Sequence, residues 1–243
     1  MDLTNQHIKY LRGLHLKKNR QKYGHFLVEG EKSIAELLNS SYRIERLYIK
    51  KGYQTPNNIH GDIEIAFGDD KSISRISQLK TPPNIIALVN IPVTTVNEIQ
   101  RNQWVLALDG INDPGNLGTI IRIADWFGVS QVLCSEGTVD LYNIKTLMAT
   151  MGSFSRVEVH YLNLENLLQD SSVPKYFALL DGVDISSIEA IEPGIIVIGS
   201  EANGISEGLL KLTHTPITIV GRGKAESLNA GVSAGIICHC LIG

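Results

Sequence analysis

Cysteine is scarce: three residues, an odd and low count, imply no disulfide framework. No stretch approaches the ~18 consecutive apolar residues of a membrane span. The opening, MDLTNQHIKY, lacks the apolar core of a secretory signal. Internal repeats and low-complexity segments are missing too. Charge of one sign is not in excess: a formal net charge of −3 argues against a protein that coats nucleic acid non-specifically, while leaving room for a local basic patch. What is there is a chain of 243 residues, 43% hydrophobic and 19% charged, able to bury a substantial core. The expectation is a soluble, reduced, cytoplasmic protein of one large domain or two modest ones.

Several chemistries are absent as well. No G-x-S-x-G nucleophile elbow occurs. Gly221-Arg222-Gly223-Lys224 resembles a phosphate loop superficially, but Thr218 stands where the first glycine belongs and Ala225 where Ser or Thr should follow the lysine. Cys238-His239-Cys240 sits in an apolar stretch with no second ligand pair, so no metal is expected and the thiols read as buried. Cys134 reads as core, His214 as a solvated loop residue, and Met148 and Met151 as packing.

The chain is organised around Trp104–Arg122, WVLALDGINDPGNLGTIIR. Trp104–Leu108 suits a buried strand. A polar loop, Asn112-Asp113-Pro114-Gly115-Asn116, follows. Apolar residues then return at helical spacing at Leu117, Ile120, Ile121, Ala124 and Phe127. Strand, Gly-rich loop and helix present backbone N–H groups to a ligand. Arg122 lies within about two turns of the helix start. An ordinary βα turn would also explain Asp-Pro-Gly.

Before this stretch, residues 1–25 carry Lys9, Arg12, Lys17, Lys18, Arg20 and Lys22 against one acid, Asp2. Lys17, Lys18, Arg20 and Lys22 form a candidate phosphate-binding arm; a solvated terminus is the other reading. Strands are expected at Phe26–Val28, Arg43–Lys50, Ile63–Phe67 and Ile85–Val89, with helices through Ile34–Leu38 and Asp70–Leu79. Residues 1–92 thus form an α/β unit, 93–103 a linker, and 104–243 a second domain. In that domain strands at Gln131–Cys134, Val157–His160, Tyr176–Leu180, Ile195–Ile198 and Ile217–Val220 alternate with helices at Asn143–Met151, Leu164–Gln169 and Ser227–Leu241. Asp181-Gly182 reads as a turn, and Ser227 as the cap of the last helix. Regular alternation predicts a parallel sheet covered by helices on both faces, with ligands at the carboxyl ends of the strands.

Two further loops sit at such ends. Gly199-Ser200-Glu201-Ala202-Asn203-Gly204 follows Ile195–Ile198, and its glycines would allow close approach of a ligand. Gly221 through Asn229 follows the last strand and precedes a small-residue helix face of Ala230, Gly231, Ser233, Ala234 and Gly235. Each loop alone is weak; three in one sheet form a constellation.

With these loops in hand, residues 104–241 resemble the SpoU (TrmH-like) family of RNA ribose 2′-O-methyltransferases, in the SPOUT class. The motifs occur in the family's order: Asn112–Arg122 with Asn116, Gly118 and Arg122; Ile198-Gly199-Ser200-Glu201 with Gly204; and Ile219 through Glu226-Ser227-Leu228-Asn229. The basic segment before Phe26–Gly30 is similar, more loosely, to the family's N-terminal RNA-binding domain. The resemblance implies a C-terminal deep trefoil knot, S-adenosyl-L-methionine as methyl donor, an RNA target with ribosomal RNA preferred to tRNA, and a homodimer through the knotted domain. It implies Gly199, Ile219 and Leu228 at the cofactor, and Arg122 as the catalytic arginine supported by Asn116, Glu201, Ser227 and Asn229. The family assigns proton removal to the arginine; because a guanidinium stays protonated, alkoxide stabilisation or a grip on the adjacent phosphate stands beside that role. Val220, Gly221, Met148 and Ile144 depart from the family pattern, and Met148 removes one expected RNA contact.

A dinucleotide enzyme of Rossmann type, with pyrophosphate on Gly110–Gly118 and ribose on Glu136, competes with this reading, as does a non-catalytic RNA-binding module. The glycines read G-x-x-G with no G-x-G, which disfavours the former. A melting experiment separates them. S-adenosylhomocysteine at a hundredfold over its Kd should stabilise the protein by about 2.7 kcal/mol, and NAD should leave Tm unmoved; the reverse result would restore the dinucleotide reading.

Overall fold

The computed structural model describes residues 3–59, 61–96, 98–188 and 191–243. Backbone contacts divide the chain into two units. One comprises the residues up to Val93 together with Tyr142–Ser155; the other comprises Thr94–Leu141 and Arg156–Gly243. The linker expected over 93–103 includes Asn97, which lies outside the described residues.

The first unit runs α1 (Asn5–Gly13), α2 (Lys17–Tyr23), β1 (His25–Glu29), α3 (Glu31–Leu38), β2 (Ile44–Lys50), β3 (Glu64–Gly68), α4 (Asp70–Ile76) and β4 (Ile85–Asn90). Its sheet has the order β1-β4-β2-β3, antiparallel except for the parallel β2–β3 pair. Thr4 opens α1 with a capping box: its hydroxyl accepts from the His7 N–H, and the His7 ring accepts from the Thr4 N–H. Ile8 and Leu11 then face inward and join Tyr48, Ala66, Ile73, Ile86 and Leu88 in one core. Burying each of the larger side chains contributes about 1.5–3 kcal/mol.

The segment Tyr142–Ser155 belongs to this unit although in sequence it lies between strands of the other sheet. Its two ends hold it there. The Tyr142 ring lies 4.2 Å from that of Phe26, and Phe154 packs edge-on against Phe26 and Tyr42. Between them runs a helix, Ile144–Thr150, which ends with Met151 at φ 52 and Gly152 at φ 99. A Cβ on Gly152 would meet the Glu36 side chain at 2.6 Å, so glycine is required twice over.

The second unit holds β5 (Val105–Asp109), α5 (Pro114–Trp126) and β6 (Gln131–Ser135). The helix at 144–150 is α6 in chain order. After it come β7 (Glu158–Leu162), α7 (Leu164–Asp170), β8 (Lys175–Asp184), β9 (Ile195–Gly199), α8 (Glu207–Leu210), β10 (Thr215–Thr218) and α9 (Ala230–Ile242). The strands make one parallel sheet of six, in the order β10-β8-β9-β5-β6-β7. Val105 and Ala107 pack with Leu164, Leu168 and Leu209 on one face. Leu106 and Leu108 alternate to the other face and are equally buried, so both faces are covered. The chain leaves β5 toward β6 and β7 and later returns β9 to the opposite side of β5. The reversal therefore falls between β5 and β9, where Asp109 pairs with Gly199.

Four details differ from the sequence reading. Asp181-Gly182 is no turn: β8 continues to Asp184. Gly182 permits this, since a Cβ there would stand 2.8 Å from the Pro216 carbonyl carbon of β10, where pairing jumps from Phe177 to Val183. The last strand is Thr215–Thr218, and Pro216 is tolerated because β10 is an edge strand. His214 is not freely solvated; its ring stacks on Phe177 at 4.2 Å and its Nδ1 donates to the Leu212 carbonyl. Met148 and Met151 are exposed, as is Cys240, whereas Cys134 and Cys238 are buried. Burial pushes the Cys238 thiol up to about 12, leaving it protonated and inert.

The basic arm also needs correcting. Arg20 is buried, and its guanidinium donates to the carbonyls of Leu14 (2.8 Å) and His15 (2.9 Å). It caps the exposed end of α1 and is not available to a phosphate. Lys17, Lys18 and Lys22 remain exposed, with Lys22 over the Tyr23 ring. Arg20→Ala should lower the unfolding free energy by about 1.5–3 kcal/mol, read from denaturant titration. Lys17→Ala and Lys18→Ala should change it by less than about 0.5 kcal/mol.

Candidate active site

Three loops leave the carboxyl edge of the parallel sheet, after β5, β9 and β10. The first turns at Gly110 (φ +68), whose N–H donates to Ser135 Oγ. That hydroxyl is in turn within reach of Thr138 Oγ1, which donates to the Leu108 carbonyl. Asp113 caps α5 by accepting from the Asn116 N–H at 2.9 Å, and Pro114 fills the first helical position, where no N–H is needed.

The second loop is closed by its glycines. Ser200 and Gly204 exchange backbone hydrogen bonds of 3.2 and 2.8 Å. A Cβ on Gly199 would fall 2.2 Å from the Gly204 carbonyl carbon. The bare Cα of Gly199 is thus used by the protein's own backbone to fold the loop flat. Asp109, at the end of β5, accepts from the Ser206 N–H at 2.8 Å and ties the exit of this loop to the neighbouring strand.

The third loop ends at Asn229, which caps α9 by accepting from the Gly231 and Val232 N–H groups. Ser227 is therefore not the cap, a second correction to the helix start. Gly231 and Gly235 then meet Thr119 and Ile123 of α5, where a Cβ on Gly231 would approach Thr119 Cγ2 to 3.0 Å. The small-residue face seats α9 against α5.

Asn116, Glu201 and Asn229 join the three loops. Asn229 Oδ1 faces the α9 N–H groups and can only accept there, so its Nδ2 is the donor that reaches Asn116 Oδ1 at 2.8 Å. The Asn116 amide nitrogen must then face the other way, and it donates to Glu201 Oε1. The same carboxylate oxygen accepts from the Ala230 N–H at 3.1 Å. Donors and acceptors thus alternate from α9 to Glu201, and the negative charge of Glu201 lies at the N-terminus of α9, where the helix dipole favours it.

The remaining candidates are placed less tightly. Arg122 lies on the exposed side of α5 and makes no hydrogen bond or ion pair among the described residues. Ser227 is likewise exposed and unbonded. Ile219 is half-buried, Leu228 is 45% exposed, and no hydrogen bond among the described residues engages the backbone of 220–228. Arg222 of this loop helps hold the Asp184 carboxyl below its usual range, after the Ser186 N–H and hydroxyl. Sequence reasoning missed Asp109 and Ala230 as parts of the site. An acid closing a buried strand was the available signal for Asp109; a backbone N–H carries none. Among the described residues no group of three His, Cys, Asp or Glu side chains could hold a metal, and no helix is long and apolar enough to cross a membrane.

An all-parallel sheet with three mutually bonded loops at its switch point defines an α/β domain that builds its ligand site from strand ends. Residues 103–239 match the SpoU rRNA Methylase family, and residues 5–87 match the MRM3-like substrate binding domain. The chain belongs to the SpoU rRNA Methylase family, as its three motifs led us to expect. It is 32% identical to the 23S rRNA (guanosine(2553)-2′-O)-methyltransferase RlmP of Bacillus subtilis, across 98% of this chain and 97% of that protein. Among solved structures it is similar to a TrmH-family protein of Porphyromonas gingivalis (TM-score 0.87, 33% identity, 99% and 98% of the two chains). It is also similar to the AdoMet-bound rRNA methyltransferase of Sinorhizobium meliloti (TM-score 0.87, 28% identity, 99% and 95%).

Asn116→Asp tests the amide chain. The substitution replaces the donor facing Glu201 with a second carboxylate. The variant should melt well below the parent at pH 7, and the gap should narrow toward pH 4 as one proton comes to be shared. A gap independent of pH would show that Asn116 does not face the Glu201 carboxylate.

Proposed function

We propose that this protein transfers a methyl group from S-adenosyl-L-methionine to a ribose 2′-hydroxyl of ribosomal RNA, in preference to tRNA. Membership of the SpoU family carries the reaction class. The 23S rRNA specificity of the Bacillus subtilis relative, which aligns with 98% of this chain, supports the choice of RNA.

The observation that carries the assignment of the site is the hydrogen-bonded chain Glu201–Asn116–Asn229, which fixes three loops around one sheet edge. The third loop suits the cofactor. Its backbone from 220 to 228 is exposed and makes no hydrogen bond among the described residues, and Ile219 and Leu228 offer apolar surface beside it. Those residues, with the backbone of Gly199, would hold the nucleoside and methionine portions. When bound, S-adenosylmethionine supplies an electrophilic methyl group on a sulfonium.

Attack requires the ribose oxygen to shed its proton as the new bond forms. Arg122 carries a permanent charge with no partner among the described residues. We assign it to stabilising the developing alkoxide rather than to accepting the proton, because a guanidinium stays protonated at ordinary pH. Asn116, Glu201 and Asn229 position the loops, and Ser227 supports the arginine from the third loop. Lys17, Lys18 and Lys22 contribute RNA contacts from the first unit.

A homodimer through the second unit belongs to the same reading. Trp126 of α5 and Val232 of α9, two helices packed together, are 84% and 51% exposed, and a second copy would cover them. So does a C-terminal trefoil knot, which membership of the SpoU family supports. We place the enzyme in the cytoplasm, with its substrate.

Arg122→Ala should lower kcat by about a hundredfold or more while S-adenosylhomocysteine still raises Tm as in the parent. The assay is transfer of labelled methyl to rRNA lacking the modification, followed by nucleoside mass spectrometry. Label in a 2′-O-methylnucleoside is expected. Label in a base would overturn the ribose assignment, and near-normal turnover by the variant would remove Arg122 from the mechanism.

A further inference from the structure

The first unit has a concave surface that none of the site residues named above occupies. A shallow cavity of about 630 Å³ lies between α1 and α4, lined among others by Asn5, Lys9, Arg12, His15, Leu16 and Arg75. Its lining contains three cations and no acid. Helix geometry accounts for part of this. Asn5, Lys9 and Arg12 follow one another at spacings of four and three, so they form one stripe of α1 while Ile8 and Leu11 face the core. Arg75 enters from the last turn of α4.

The cations are arranged rather than scattered. Arg75 donates from Nη1 to Asn5 Oδ1 at 2.9 Å, which fixes the guanidinium beside α1 and leaves its other N–H groups free to donate. Lys9 and Arg12 are exposed and have no acidic partner among the described residues. His15 Nε2 donates to the Ile76 carbonyl at 2.8 Å and so pins the chain after α1 to the end of α4. Burial, with the nearby Arg12 and Arg20 charges, lowers the affinity of that ring for a second proton, so its Nδ1 is an acceptor. Leu16, 54% exposed, adds an apolar surface at the rim. Clustered cations, one of them held in place, one acceptor and an apolar rim match a sugar-phosphate backbone: anionic oxygens, a 2′-hydroxyl and the carbon face of a ribose or base.

We propose that Lys9, Arg12 and Arg75 form a phosphate-binding subsite for the RNA substrate, centred on the α1–α4 cavity. This rests on the RNA methyltransferase reading above and adds a specific place on the first unit where the polymer is held. Lys17, Lys18 and Lys22 sit outside this lining.

The test compares the full-length protein with Lys9→Gln/Arg12→Gln/Arg75→Gln and, separately, Lys9→Gln/Arg12→Gln, which leaves the Arg75–Asn5 bond intact. The probe is a 23S rRNA transcript, titrated between about 50 and 200 mM salt. Neutralising three phosphate contacts should flatten the slope of log K against log salt by about 2–3 and weaken binding at least about tenfold near 0.15 M. The double variant should give about two thirds of the slope change. Tm shifts with S-adenosylhomocysteine should match the parent in both, which shows that the fold and the transfer site are intact. An unchanged slope in both variants would overturn the subsite. If the parent binds the transcript but transfers no methyl group, the proposed reaction fails and the slopes still decide the subsite. If the parent binds no RNA, both fall.

Discussion

The direction of one side-chain amide governs the architecture of the transfer site. Asn116 has an oxygen and a nitrogen that cannot be exchanged, because Asn229 presents a donor on one side and Glu201 an acceptor on the other. Asn229 is itself fixed by the first turn of α9, and Glu201 by the Ala230 N–H. The polarity of a helix terminus is thus relayed through two amides into the loop after β5. All three loops carry backbone groups that ordinary secondary structure leaves unpaired, and without cross-bonds they would be free to move independently. The bonds to Glu201 are of the charge-assisted kind, stronger than those between neutral groups.

Much of this was legible in the sequence, and the reasons are local. The runs at Val105–Leu108, Val132–Cys134 and Ile195–Ile198 are continuous and apolar because a parallel strand covered on both faces has no solvent side. The helix after β5 could be read because Asp113 and Pro114 are start signals with a mechanism. Asn116, Glu201 and Asn229 could be singled out as polar residues in loops at strand ends, but that they bond to one another could not, since that depends on which strands are neighbours. The extension of β8 through Asp181-Gly182 was illegible for a similar reason. A glycine that makes room for another strand looks the same as one that makes a turn. Likewise, Tyr142 and Phe154 gave no sign that the segment they bracket would leave its own sheet to pack on Phe26.

Composition proved a poor guide to the role of individual cations. Six basic residues among the first twenty-five suggested a uniform arm. The fold gives them different tasks. Arg20 turns inward and satisfies two carbonyls at the end of α1, a use for which its fork of donors is well shaped. Lys22 lies over an aromatic ring. Lys9 and Arg12 stand on one helical stripe, joined by Arg75 from a point far away in sequence. Net charge described none of this, because it counts cations without their neighbours.

The position of β9 has a consequence for how the protein is made. β5, at the centre of the second sheet, acquires β6 soon after it is synthesised, but its other neighbour does not exist until residues 195–199 have emerged. Through all the intervening synthesis the nascent chain carries an apolar parallel strand with one open edge, the kind of edge that invites pairing with another chain. When β9 arrives it closes that edge, and β8, whose sheet neighbours are β9 and β10, can join the sheet only then. The centre of this sheet is therefore closed only after β6, β7 and β8 have been made, which makes its key pairing a long-range one.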